Sequence, residues 1–491
     1  MNSTLTIALL QLRAFDLAEH DHAWAELLRR IDDAAAESPR LIVAPEAAYP
    51  AAILGSSEAY AAAPLRGDVE VLATLGDRAR RHACYLAVGL VLHDAFGAPQ
   101  NAAVLIAPGG AVIARATESA PAASWFAAGQ GPVTALVDDT RIALFAGADA
   151  LDPSRVATAV EGDARVLVST SAATTWGHLL DRLPEPEGHL LLAARAVESG
   201  TWAVTPSKVG IEAASRVYGG RAGVVSPSGT WVARAPSDRP GIALHTLDLD
   251  ATSGPPVVAA TGAPIAAPES VRLAVLAVAP TPSVVDLMEG LRAVVRSASA
   301  QGARLLVLPD LAGAETRAIT STESLPLLEA LSAETQTILA VALAERGNGE
   351  TYKTAYLIDR GTTVASHRQS VLRAEERTAG FTEGTSPPPV VVTSAGGIGL
   401  LCGAEGFVPS LAAGLVERGA SLLTWCAGDI GVAVEPLART RAIEVHRTVV
   451  AAGVVGTNGG GSIIDARGST LATTVDGQSM AAIADRPLGR G

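Results

Sequence analysis

The sequence predicts two tandem α/β domains, and three observations carry that expectation. Several landmarks occur twice, in the same order, along the 491 residues. Within each copy, short apolar runs alternate with longer segments of helical period. Between the copies lies TSGPPVVAATGAPIAAPES, residues 252–270, rich in Pro, Gly and Ala and reading as a linker. The domains are therefore expected at 1–251 and 271–491, which agrees with a chain too long for one ordinary core.

In the first copy, MNSTLTIALLQL has neither a basic leader nor a cleavage-type ending, so it reads as the first core strand. HAWAELLRRIDDAAAE, 22–37, places Trp24, Leu27, Leu28 and Ile31 on one helical face. LIVAPEAAYP, 41–50, is a buried strand that ends at Glu46, and CYLAVGLVL, 84–92, is another. NAAVLIAPGGAVIARATE, 101–118, reads as strand, glycine turn and strand. IALFAGAD, 142–149, and ARVLVST, 164–170, are core strands, RAVES, 195–199, is helical, and GVVSPSGT, 223–230, is a strand entering a turn.

The second copy returns these in order. LLVLPDLAGA, 305–314, ends at Asp310, TAYLIDRGTTVASHRQ, 354–369, repeats the strand–turn–strand, and IGLLCGAE, 398–405, repeats IALFAGAD. RAIEV, 441–445, and SIIDARGST, 462–470, follow. Pockets in sheets of this kind open at the carboxyl ends of strands, where Glu46, Asp310 and the Gly147 and Gly403 turns fall. The glycine run TNGGGS, 457–462, lacks a strand–GxGxxG–helix context and reads as a tight loop.

Composition narrows the function. Hydrophobic residues make up 48% and charged residues 18%, a well-buried globular balance. The formal charge is −13, the only lysines are Lys208 and Lys353, and no arginine stripe occurs, so nucleic acid and anionic membranes are poor partners. Apolar runs stop short of the roughly 18 residues a membrane helix needs. Cys84, Cys402 and Cys426 have no CxxC or Cys/His metal spacing, which fits a reduced, cytoplasmic compartment without disulfides or metal.

At these landmarks the chain resembles the nitrilase, or carbon–nitrogen hydrolase, superfamily, twice over. The resemblance implies a tandem pair of four-layer αββα sandwiches, the two copies forming an internal pseudo-dimer that imitates the family's homodimer. It implies no cofactor and, as chemistry, hydrolysis or transfer at non-peptide C–N bonds by a Glu base, a Lys that stabilises the tetrahedral intermediate and a Cys nucleophile. The thiol must be deprotonated to attack, and the oxyanion needs a fixed positive donor.

Carried over position by position, the Glu falls on Glu46, intact, and on Asp310, one methylene shorter. The Lys position, counted from the turn glycines Gly110 and Gly361, falls on Glu118 and Gln369. Neither segment has a lysine nearby, leaving Arg115 and Arg368 as the closest cations. Anchored on Asp149 and Glu405, the Cys position falls on Gly147 and Gly403, while Cys402 lies one place early. A one-residue slip turns a strand side chain to the opposite face, so Cys402 reads as a core residue. Glu376 lies where many family members carry a further active-site Glu, upstream of Phe381 and Gly384, although EER at 375–377 also suits a solvated run.

Three functional expectations follow. One is a pseudoenzyme that binds a small-molecule ligand or serves as a partner subunit, alone or in a further oligomer. Another is carboxylate acid/base chemistry on a C–N bond by Glu46 and Glu118, which need one raised pKa between them. The loop-like TESAPAAS, 117–124, better suits a Glu118 turned to solvent. The last is amidase-type hydrolysis through Cys402, which requires a bulge to restore its face.

Overall fold

The computed structural model describes residues 4–121, 126–172, 174–175, 187–251, 271–277, 284–312, 319–454, 460–475 and 479–486. The chain divides into two compact units, Met1–Pro255 and Pro256–Gly491. The segment 252–270 and residues 457–459 of the glycine run lie outside the described residues.

In the first unit, the apolar run Leu41–Ala44 pairs in parallel with Thr4–Arg13 on one side and Tyr85–His93 on the other. The antiparallel strands Pro99–Ile106 and Val112–Thr117 extend this sheet. A second sheet runs in the order Trp231–Arg234, Gly223–Val225, Trp202–Thr205, Val166–Ser169, Thr140–Phe145, Val133–Val137. The period of two in each strand sets what lies between the sheets. Ile7, Leu9 and Val43 meet Ile142, Leu144, Val166 and Val204 there. Their neighbours Ala8, Leu10 and Ile42 face outward onto Trp24, Leu27 and Ile31 of the helix His20–Ala35 and onto Leu75 of Asp68–His82. Phe145, Leu167 and Ala203 do the same for the second sheet, against Pro153–Glu161 and Glu187–Ser199. The order of layers is helix, sheet, sheet, helix.

The second unit repeats this. Its first sheet is ordered Thr362–Arg368, Glu350–Asp359, Ile338–Gly347, Leu305–Asp310, Arg272–Ala277, Met480–Asp485. Its second is ordered Val390–Thr393, Gly396–Cys402, Leu422–Gly428, Thr448–Gly453, Gly461–Ile464, Thr470–Thr473. Leu273, Val307, Ala340 and Leu357 face Leu400, Cys402, Cys426 and Val450 between the sheets. Helices Val284–Ala300 and Ser321–Thr335 cover the first sheet, while Pro409–Glu417 and Val434–Val445 cover the second.

The helix predicted over 22–37 forms as His20–Ala35. Arg195 and Arg441 are fully buried, and each pairs with a glutamate one turn on in its helix, Glu198 at 3.2 Å and Glu444 at 3.3 Å. No helix among the described residues is long and apolar enough to cross a membrane.

Candidate functional sites at the strand ends

In the first unit, the chain leaves Leu41–Ala44 and turns Glu46 into a buried position. Glu46 Oε1 accepts from the backbone N–H of Ala172 at 3.3 Å and from Arg216 Nη2 at 3.2 Å. Its Oε2 accepts from Asn101 Nδ2 at 3.3 Å, and the same nitrogen donates to Glu118 Oε2 at 3.0 Å. Glu118 Oε1 accepts from the N–H of Ala148 at 3.0 Å. One amide nitrogen thus holds the two carboxylates singled out in the sequence.

The solvent-facing expectation for Glu118 does not hold, because the end of its hairpin is pinned. Glu118 N donates to Asn101 O at 2.9 Å and Gly129 N to Glu118 O at 2.7 Å. Ser119 clamps the same corner to Asp149, its N–H at 3.1 Å and its Oγ at 2.6 Å. Burial raises the pKa of Glu118 and the charge of Glu46 adds to the rise, while the Ala148 and Asn101 donors oppose it.

Gly147 and Gly403 each open a 3-10 turn directly after a core strand, with φ of +54° and +48°. That region is strained for any side chain. The space is also occupied: a Cβ on Gly147 would lie 2.2 Å from the Glu118 carboxyl carbon, and one on Gly403 would lie 2.3 Å from Gln369 Oε1, so the end of that side chain would have to shift. The side chains at the two counted Lys positions fill the places where side chains at the two counted Cys positions would begin.

The second unit gathers a different set. Lys353 Nζ contacts Asp310 Oδ2 at 2.7 Å and Glu376 Oε1 at 2.9 Å. Asp310 Oδ1 accepts from Ala312 N at 2.8 Å, and Glu376 Oε2 accepts from Arg373 N at 2.8 Å and Gln369 Nε2 at 3.0 Å. Every carboxylate oxygen has a donor. Asp310, Lys353 and Glu376 are each no more than 4% exposed, and Gln369 is fully buried. Burial opposes the charge on Lys353, but the two carboxylates outweigh it and raise its pKa. Glu376, in a run that also suits solvent, is the buried member of EER because the short helix Ala374–Thr378 turns it inward.

Cys402 faces the other sheet, beside Cys426, its cross-strand partner. The parallel register from Ile398 to Cys402 against Leu422 to Cys426 runs without a shift, so the bulge that would re-aim the thiol is absent at this position. Burial pushes both thiols well up, with nearby carboxylate charge adding, and pushes Cys84 up to about 11. The Cys402 Sγ sits 3.8 Å from Gln369 Oε1.

Sequence reasoning missed the lysines. Arg115 and Arg368, taken as the nearest cations, serve other partners: Arg115 donates to His93 O and Gln100 Oε1, and Arg368 pairs with Glu345 at 2.7 Å. The cation beside Asp310 is Lys353, one strand earlier, since Gln369 N donates to Lys353 O at 2.8 Å. Lys208 is also buried, donating to Ala47 O at 2.9 Å and lying 3.6 Å from Glu212, and burial lowers its pKa. The available signal was composition: the chain has only two lysines, and Lys353 directly precedes the apolar run TAYLI, whose strand is otherwise buried from Tyr352 to Ile358.

The carbon–nitrogen hydrolase family model matches residues 6–254 and again 272–490. Among solved structures, a variant of the Nesterenkonia AN1 amidase from the nitrilase superfamily is similar at 23% identity and a TM-score of 0.40, over 45% of this chain and 93% of that one. A carbon–nitrogen hydrolase from Helicobacter pylori G27 is similar at 20% identity and a TM-score of 0.40, over 45% and 90%. No curated protein matches.

Proposed function

The chain belongs to the carbon–nitrogen hydrolase family, in two copies, and from that premise we propose that it is a member without thiol chemistry, binding a small polar molecule in its first unit. One observation carries this reading. At both counted nucleophile positions a glycine with positive φ stands where the next atom of a side chain would strike Glu118 or Gln369. Neither glycine supplies a thiol, and Cys402, the nearest one, is a buried acid with a raised pKa. The second unit reads as a closed copy, Lys353 pairing with both of its acidic groups. The first unit keeps Glu46, Asn101 and Glu118, with Glu118 half-buried and the Arg216 side chain 35% exposed.

The test is ammonia release from acetamide and butyramide, with wild type and Cys402→Ala compared. No turnover is expected from either. Turnover that vanishes in Cys402→Ala sinks the proposal.

The shared Asn101 bridge and the raised pKa of Glu118 favour a second reading, acid/base chemistry by Glu46 and Glu118. On that reading, Glu46→Gln or Glu118→Gln abolishes a C–N bond activity that Cys402→Ala leaves intact. Two Glu variants with wild-type rates on the same substrate exclude it.

A further inference from the structure

The two units place different residues at one and the same node. Glu118 N donates to Asn101 O just as Gln369 N donates to Lys353 O, and Gly129 and Gly384 then close onto Glu118 and Gln369 identically, each at 2.7 Å. Asn101 and Lys353 are therefore equivalent positions, each reaching the acidic residue at the end of the equivalent strand, Glu46 or Asp310. The second unit puts an ammonium there, between two carboxylates. The first unit puts a neutral amide there, also between two carboxylates, and leaves Asn101 Oδ1 buried with no hydrogen-bond partner among the described residues. Arg216 balances Glu46 but makes no hydrogen bond or ion pair to Glu118 among the described residues.

From this comparison we infer that the first unit binds a small primary ammonium ion, a ligand supplying in trans what Lys353 supplies within the second. The inference rests on the reading of the first unit as a binding site and names its ligand class. An alkylammonium carries three N–H donors and one positive charge. Glu118, Glu46 and the unpaired Asn101 Oδ1 are the acceptors, and charge-assisted hydrogen bonds of this type are the strong ones. A quaternary ammonium has the charge without the donors and does not meet the requirement.

The experiment is a thermal-shift titration of the full chain with methylammonium chloride, against tetramethylammonium chloride and NaCl at matched ionic strength. Sodium phosphate is the buffer, because Tris is itself a primary amine. Methylammonium is expected to raise Tm saturably by mass action, and tetramethylammonium to act as NaCl does. Glu118→Gln should weaken the apparent affinity by about tenfold or more. Asn101→Lys, which installs the second unit's ammonium in the first, should abolish the response while raising the Tm of the protein without amine. If Asn101→Lys does not fold, Glu118→Gln alone decides. The inference is overturned if methylammonium stabilises no better than NaCl, or if its effect survives undiminished in the folded variants. Amide turnover, by contrast, would defeat the proposed function and leave this titration unchanged.

Discussion

Lys353 is a charge that the second unit has to bury, and its two carboxylates are what make that tolerable. Lys353→Met removes the cation and strands Asp310 and Glu376 as uncompensated buried acids. Breaking such a pair typically destabilises by about 3–5 kcal/mol. Thermal unfolding should therefore shift down steeply, and Lys353→Met combined with Asp310→Asn and Glu376→Gln should recover much of the loss. A single variant with wild-type Tm would mean that the ion network contributes nothing. Glu118 offers a test of opposite sign. Its native pKa is raised above the ordinary 4.5, by burial first and then by Glu46. The folded state therefore favours the proton, a stabilisation present at low pH and lost as pH rises through the raised value. In amine-free buffer, the Tm of Glu118→Gln minus that of wild type should grow from below pH 4.5 toward neutrality. A difference constant across that range would refute the raised pKa. At this scale the sequence was only half legible. Glu46 and Asp310 were found because they end apolar strands. Lys353 was missed because counting along one strand cannot show which residue of the neighbouring strand points to the same place.

The element that decides the chemistry is the turn from a core strand into a 3-10 helix, present twice. Strand alternation placed Cys402 from sequence alone: Ile398, Leu400 and Cys402 share the inter-sheet face, and Ala146 holds the corresponding place in the first unit. That geometry predicts slow chemistry at sulfur. In the native protein, iodoacetamide should label none of the three buried cysteines at pH 8 on the timescale that labels all of them in urea, read by peptide mass. Rapid native labelling of Cys402 ahead of Cys84 and Cys426 would reopen thiol catalysis. The glycines make a second prediction. Gly147→Ala imposes a strained φ, about 1–3 kcal/mol by itself, and drives a Cβ into the Glu118 carboxyl. Adding Glu118→Ala removes the collision but not the strain, so the pair should be less destabilising than the sum of the singles. Additive losses would mean that Glu118 moves aside freely. What the sequence could not show is that occupancy. The glycine was readable as a missing nucleophile, but not as a space taken over by the residue from the opposite hairpin.

Across the whole molecule, duplication made the fold the most legible feature, since matched landmarks in fixed order leave few topologies for either copy. It also makes the chain its own control. Each unit builds its own inter-sheet core and sets an acidic strand end against a hairpin corner, so at that corner the copies differ mainly in their side chains. The decisive difference is where the cation sits and what it leaves unpaired. The second unit surrounds Lys353 with Asp310 and Glu376 and has no unpaired acceptor on either carboxylate, whereas the first has Glu46 and Glu118 with one guanidinium and an unpaired Asn101 oxygen. A fully satisfied buried network resists a further ion, and a partly satisfied one is where a ligand gains most. Amine binding should therefore saturate at one methylammonium per chain, by calorimetric or mass-spectrometric stoichiometry. Asn101→Lys should reduce that number to zero, and Asp310→Asn in the second unit should leave it at one. A stoichiometry of two would show that Lys353 does not close its own site. The asymmetry between the copies would then lie somewhere other than in the placement of their cations.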